Sequence, residues 1–153
     1  MRKLRNLIGM PVICEKQKIG TVIGADLSDD LRQLEGVWMD CGLPGTRYIP
    51  SDLLVMIGSV AVMTDARGQR RRMHSKKLLY RAISTDGRRI GAITGAEIDE
   101  ISFLVTALEL ARGLWDDLIS GRDRVTDYSV SPDALEVIVI DSTKTDDKED
   151  EFS

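Results

Sequence analysis

A chain of 153 residues can form one ordinary domain or two small ones, and a net charge of −4 argues against a general nucleic-acid binder, whose footprint is usually basic. Aromatic residues make up only 5% of it, so Val, Ile, Leu, Ala and Met must fill the interior. Its two cysteines, Cys14 and Cys41, exclude a disulfide framework and a four-cysteine zinc site, and both lie in apolar stretches that read as core.

After the charged start Met1–Leu7 the chain is interrupted by Glu15, Lys16 and Lys18 before the apolar core of a signal peptide could form, and no stretch approaches the roughly 18 apolar residues that cross a bilayer. Neither a signal peptide nor a membrane span is expected, and the expected location is cytoplasmic. Leu7–Cys14 is apolar and β-branched, Glu15–Lys18 is a polar turn, and Ile19–Leu27 returns as a second strand, so the pair reads as a hairpin. Leu34–Asp40 is a third strand. Alternation puts Val37 and Met39 on one face and turns Trp38 to the other, either outward to a partner or into a seam between two packed halves. Turn chemistry at Cys41–Gly45 leads to Arg47–Pro50, a Ser51–Asp52 turn, and the short runs Leu53–Ile57 and Ser59–Met63. Strands this short and closely punctuated indicate a small all-β barrel or sandwich.

Residues 67–77 then carry six basic residues in eleven, among them Arg70, Arg71 and Arg72. Beyond them, Asp86-Gly87 marks a second tight hairpin turn. Leu114, Trp115, Leu118 and Ile119 have helical spacing and predict one short helix, stopped by Gly121. The end of the chain, residues 142–153, is acidic and almost free of apolar side chains, the composition of a disordered tail.

The two halves repeat one another 71 residues apart. Ile19, Gly20, Gly24 and Ala25 return as Ile90, Gly91, Gly95 and Ala96, and Val22, Asp26 and Leu27 as Ile93, Glu97 and Ile98. Near the end Val62 matches Val137 at an offset of 75, so about four residues were gained on the way. A repeat that keeps chemical type where identity is lost is what a duplicated fold leaves behind. Glycine weakens a strand interior, so its return at both sites of each copy points to a bulge, a bend or a close backbone approach at Gly20, Gly24, Gly91 and Gly95.

Leu7-Ile8-Gly9-Met10-Pro11-Val12, a polar turn, then Ile19-Gly20-Thr21-Val22-Ile23-Gly24-Ala25-Asp26 resembles the PRC-barrel family, and Arg47-Tyr48-Ile49-Pro50 is similar to that family's Ile-Pro step. The second copy keeps Ile90-Gly91-Ala92-Ile93 but has no Ile-Pro. The resemblance implies an all-β protein of two tandem barrels of about six strands each. Barrel one would span 1–66, a basic linker 67–77, and barrel two, with the short helix, 78–141, followed by the tail at 142–153. Related barrels occur in the H subunit of photosynthetic reaction centres and in a ribosome maturation factor. The resemblance therefore implies a non-catalytic module that docks on other macromolecules, with no catalytic residue to transfer.

The residues themselves suggest no chemistry of their own. His74 is the only histidine and lies in the basic stretch, the pairs Asp29-Asp30 and Asp116-Asp117 suit loops or a solvated helix face, and no glycine-rich phosphate loop is present. No enzyme activity, metal or cofactor is expected. The expected function is an adaptor or assembly module that binds another protein, or a second copy of itself, through barrel surfaces, with Trp38 a candidate contact. The alternative is an RNA- or ribosome-associated factor in which Arg70, Arg71 and Arg72 touch phosphate.

Overall fold

The computed structural model describes residues 1–71, 73, 80–113 and 123–143, the last three by backbone alone. Among them the protein is all-β, with strands joined by turns and two short 3-10 segments, and it divides into two compact units. The first comprises Met1–Lys77 and Glu97–Thr106; the second comprises Leu78–Ala96 and Ala107–Ser153.

The first unit holds β1 (Arg2–Lys3), β2 (Pro11–Cys14), β3 (Gln17–Leu27), β4 (Leu34–Asp40), β5 (Thr46–Pro50), β6 (Leu54–Ile57), β7 (Val62–Thr64) and β8 (Gln69–Arg70). Seven of these form one curled, half-barrel sheet in the order β6-β7-β2-β3-β4-β5-β8. The β2–β3 hairpin closes on the Cys14–Gln17 pair, and both loop residues, Glu15 (φ 50°) and Lys16 (φ 68°), are left-handed, the signature of a type I′ turn. Val12 faces Gly20 while Ile13 faces Lys18, so Ile19 is an extra residue that bulges β3. On its other side β2 runs parallel to β7, with Val12 opposite Val62. Pro50 supplies no N–H, and at that residue the chain leaves the β4 ladder through the 3-10 turn Ser51–Leu53. It then pairs as β6 with β7 at the far end of the sheet from β5 and β8, so the half-barrel stays open.

Glu97–Thr106 completes this unit. Lys3 and Arg2 pair with Glu97 and Ile98. Leu34 N–H donates to the Phe103 carbonyl and Val105 N–H to the Arg32 carbonyl, each at 2.8 Å, around an antiparallel Gln33–Leu104 bridge. Ile57 N–H, on the outer side of β6, donates to the Glu100 carbonyl at 2.9 Å. Leu7, Val12, Val37, Met39, Ile49, Val62 and Ile98 are fully buried.

The second unit is a closed barrel of five strands: β9 (Arg81–Ser84), β10 (Arg89–Ile98), β11 (Val105–Ala111), β12 (Asp123–Ser131) and β13 (Glu136–Thr143). Closure comes from β9, which is antiparallel to β10 and parallel to β13. Ala82 faces both Gly91 and Val137, and Ile90 is skipped in the β9–β10 ladder. No proline interrupts β12, which pairs along its length with β13 and also with β11. The hairpin turn Ser84–Arg88 is one residue longer than its counterpart at Cys14–Gln17 and puts Gly87 at φ 86°. Ala82, Ala96, Ala107, Leu108, Leu110, Val125 and Val137 are fully buried.

The expectation of about six strands per copy is corrected in both units. In the first Pro50 ends β5 and the chain goes on as β6, and Gln69–Arg70, read from sequence as linker, adds β8 to its edge. The second closes with five strands. The tail expected over 142–153 starts later, because Ser142 and Thr143 are the end of β13 and pair with Val125 and Arg124. Its remainder from Lys144, the short helix expected at Leu114–Ile119 with Trp115, and His74 lie outside the described residues. No helix among the described residues is long and apolar enough to cross a membrane.

Candidate functional site

Trp38 does not project outward. It is 3% exposed, and Val37, Trp38 and Met39 are all buried in succession because both faces of β4 are covered. Val37 and Met39 face the core, and the opposite face carries a small aromatic site. Trp38 pairs across β4–β5 with Tyr48, their ring centroids 4.6 Å apart and tilted by 51°. Two glycines make the space. A Cβ on Gly36 would meet the Tyr48 ring and hydroxyl, and one on Gly24 would lie 3.4 Å from Trp38 Cδ1 and 2.8 Å from Met73 Cε.

The basic stretch supplies the cover. β8 pairs with β5, Gln69 opposite Tyr48 and Arg70 opposite Arg47, and Arg71 follows directly. The Arg71 guanidinium carbon stands 5.0 Å from the Tyr48 centroid and 5.6 Å from that of Trp38, within cation–π range of both. Burial, then the nearby Asp26 and Glu35 carboxylates, push the Tyr48 phenol up to about 12, with Arg71 opposing them. Arg70 donates to the Pro44 carbonyl at 3.2 Å and Arg47 to that of Gly68 at 3.3 Å. Arg71 is thus held against aromatic rings and Arg70 against backbone. Arg72 is outside the described residues.

A second feature escaped the sequence reading. At the other edge of this sheet Leu53, Val55, Met56, Val60 and Met63 are exposed within eleven residues of the β6–β7 hairpin. Met56 and Met63 are direct cross-strand partners, so they stand side by side on one face. The signal was present as two short apolar runs, but period-2 alternation is lost where the ladder slips between Leu54 and Met56, and with it the evidence of which residues point out.

The four repeated glycines serve close approach to differing degrees. A Cβ on Gly20 would sit 2.9 Å from the Asp40 carbonyl oxygen, and one on Gly91 would collide with the Ala111 carbonyl oxygen, the equivalent atom 71 residues on. A Cβ on Gly95 would lie 3.3 Å from the Glu109 carboxyl carbon, where one on Gly24 meets Met73 and Trp38. The pair Trp38–Tyr48 accordingly becomes Glu109–Arg124 in the second unit, which has no aromatic pair at that position. Elsewhere in the second unit, beside Gly91, a shallow cleft of about 460 Å³ is lined by Arg89, Gly91, Ala111 and Arg112, with Arg112 bonded to Asp123.

Among the described residues no group of three or more His, Cys, Asp or Glu side chains could hold a metal ion. Asp30 accepts from Ser28 and from Arg32 N–H within its own turn, an arrangement that lowers its pKa and orders the loop. Cys14 is buried, and burial raises the Cys41 thiol above its ordinary value, the reverse of an activated nucleophile. Compared with protein-family models the sequence matches none, and a search of curated proteins finds no match either.

Proposed function

We propose that the protein is a non-enzymatic adaptor of the cytoplasm, built from two tandem PRC-barrel-like folds, that docks a protein partner on the exposed β6–β7 face. The observation that carries the docking reading is the run of exposed apolar side chains Leu53, Val55, Met56, Val60 and Met63 at the sheet's edge, with Met56 directly across from Met63. Clustered exposed apolar side chains favour association, and paired methionines adapt to varied partner surfaces. Three matched irregularities support the tandem reading: bulges at Ile19 and Ile90, parallel pairs Val12–Val62 and Ala82–Val137, and carbonyls packed on Gly20 and Gly91.

The test is capture from lysate of the source cells, with and without nuclease, comparing the natural chain with Met56→Glu/Met63→Glu. A nuclease-resistant protein that is retained by the first and lost by the second, at unchanged melting temperature, is the expected result. Equal capture by both removes this face as the docking site.

A second reading rests on one observation. Arg47 and Arg70 lie directly opposite one another, with Arg71 adjacent, and like charges across a ladder repel unless an anion lies between them. If that anion is RNA phosphate, affinity for a short single-stranded RNA falls steeply with salt, and Arg70→Ala/Arg71→Ala/Arg72→Ala flattens the slope. Binding that ignores salt excludes it.

A further inference from the structure

We infer that the Trp38–Tyr48 pair, flanked by Asp26 and Glu35, is a guanidinium-binding site that Arg71 fills in cis and that an arginine of a partner peptide can take in its place. The site lies on β3, β4 and β5, away from the β6–β7 face, and does not depend on that face binding anything.

The geometry is that of a receptor for a flat cation. Trp38 and Tyr48 present their rings together, and one guanidinium lies within 6 Å of both centroids, where the ring quadrupoles attract it. Arginine suits such a surface better than lysine because its planar, weakly hydrated head stacks on aromatic faces. Asp26 stands directly across the ladder from Gly36, the residue over which the Tyr48 ring lies, so negative charge borders the rings. The two glycines are what make the site: a side chain at Gly36 would displace Tyr48, and one at Gly24 would press on Met73 and Trp38.

The occupant is held less firmly than the site. Trp38 and Tyr48 are buried, whereas Arg71 and Met73, which lie over this face, are exposed. The arm that brings them pairs with β5 at only two positions, and the Arg71 N–H reaches the Thr46 carbonyl at 3.4 Å, a long bond. Short, exposed, edge-paired segments open at low free-energy cost. Arg71 is therefore an intramolecular competitor at an effective concentration in the millimolar range, and a partner's arginine must outbid it.

The experiment uses the full chain carrying Trp115→Phe, so that emission reports Trp38 alone, with and without Arg71→Gln. N-acetylargininamide titrated into the Arg71→Gln protein is expected to change Trp38 emission saturably, with a Kd at least about tenfold below that of the protein retaining Arg71. N-acetylcitrullinamide, its neutral isostere, is expected to give no saturable change. No saturation in the Arg71→Gln protein, equal affinity with and without Arg71, or equal binding of the citrulline compound overturns the proposal. Should Arg71→Gln fail to fold, the Nε–Hε resonance of Arg71 in the natural chain decides. Ring current is expected to shift it upfield, and added N-acetylargininamide to return it toward the free-arginine position; a resonance at the free-arginine position from the start overturns the proposal.

Discussion

Single atoms rank the repeated glycines. At Gly91 an added methyl group would occupy the place of the Ala111 carbonyl oxygen, and at Gly20 it would press on that of Asp40, whereas at Gly95 its nearest neighbour is a side chain that can turn. Overpacking of this kind costs about 1–3 kcal/mol. Urea unfolding is expected to order the variants Gly91→Ala, Gly20→Ala, Gly95→Ala from largest to smallest loss of midpoint at constant m-value; a Gly95→Ala loss equal to that of Gly91→Ala refutes the ranking. Tyr48 sets a second residue-scale expectation. Its phenol is raised in the folded state, to about 12, from an ordinary value of 10.0, so its share of stability is complete below pH 10. That share is lost as pH rises toward 12, because the unfolded chain ionises first. Stability measured between pH 9 and 12 should fall less steeply in Tyr48→Phe than in the natural chain, and parallel curves would show that Tyr48 titrates normally.

At the scale of elements, turn chemistry distinguishes two otherwise similar hairpins. Ser84–Arg88 places glycine at its left-handed position, but Glu15 and Lys16 both adopt positive φ at the cost of a Cβ contact. Glu15→Asn/Lys16→Gly is expected to stabilise the protein by roughly 0.5–1 kcal/mol, read as a rise of about 1–4 °C in Tm. A fall in Tm would mean that side-chain contacts of Glu15 or Lys16 outweigh the strain. Pro50 marks the other contrast between elements. In the first unit Pro50 ends β5 and the chain goes on as β6, an edge strand of the sheet that carries exposed Met56, whereas no proline divides β12 in the second.

For the whole molecule, the boundary between units in space is not a boundary in sequence. Glu97–Thr106 comes from the second half of the chain yet supplies acceptors for Leu34 N–H and Ile57 N–H and buries Ile98 and Phe103 in the first unit. A chain ending at Lys77 leaves those donors without their protein acceptors and loses the Ile98 and Phe103 side chains from the core, losses that together come to several kcal/mol. Its urea midpoint should lie well below that of the same unit in the full chain, monitored by Trp38 fluorescence with Trp115→Phe in the latter. Equal midpoints would show that residues 97–106 add nothing to its stability.

The all-β class, the positions of the hairpins and the sites of close approach at Gly20 and Gly91 were legible in the amino-acid sequence. They follow from local rules: β-branched runs of period two, turn residues at their ends, and glycine where a neighbouring carbonyl leaves no room. Three features were decided only by tertiary structure: a half-barrel against a closed barrel, the burial of Trp38 under Arg71, and the place of Glu97–Thr106. Alternation along a strand separates its two faces but cannot say what covers each, so an outward Trp38 and one packed in a seam were equally compatible with the sequence. It is an arm thirty-three positions later in the chain that covers it. Closure likewise depends on whether ladders such as β9–β10 and β13–β9 meet, a long-range choice that one proline can reverse and that no local pattern records.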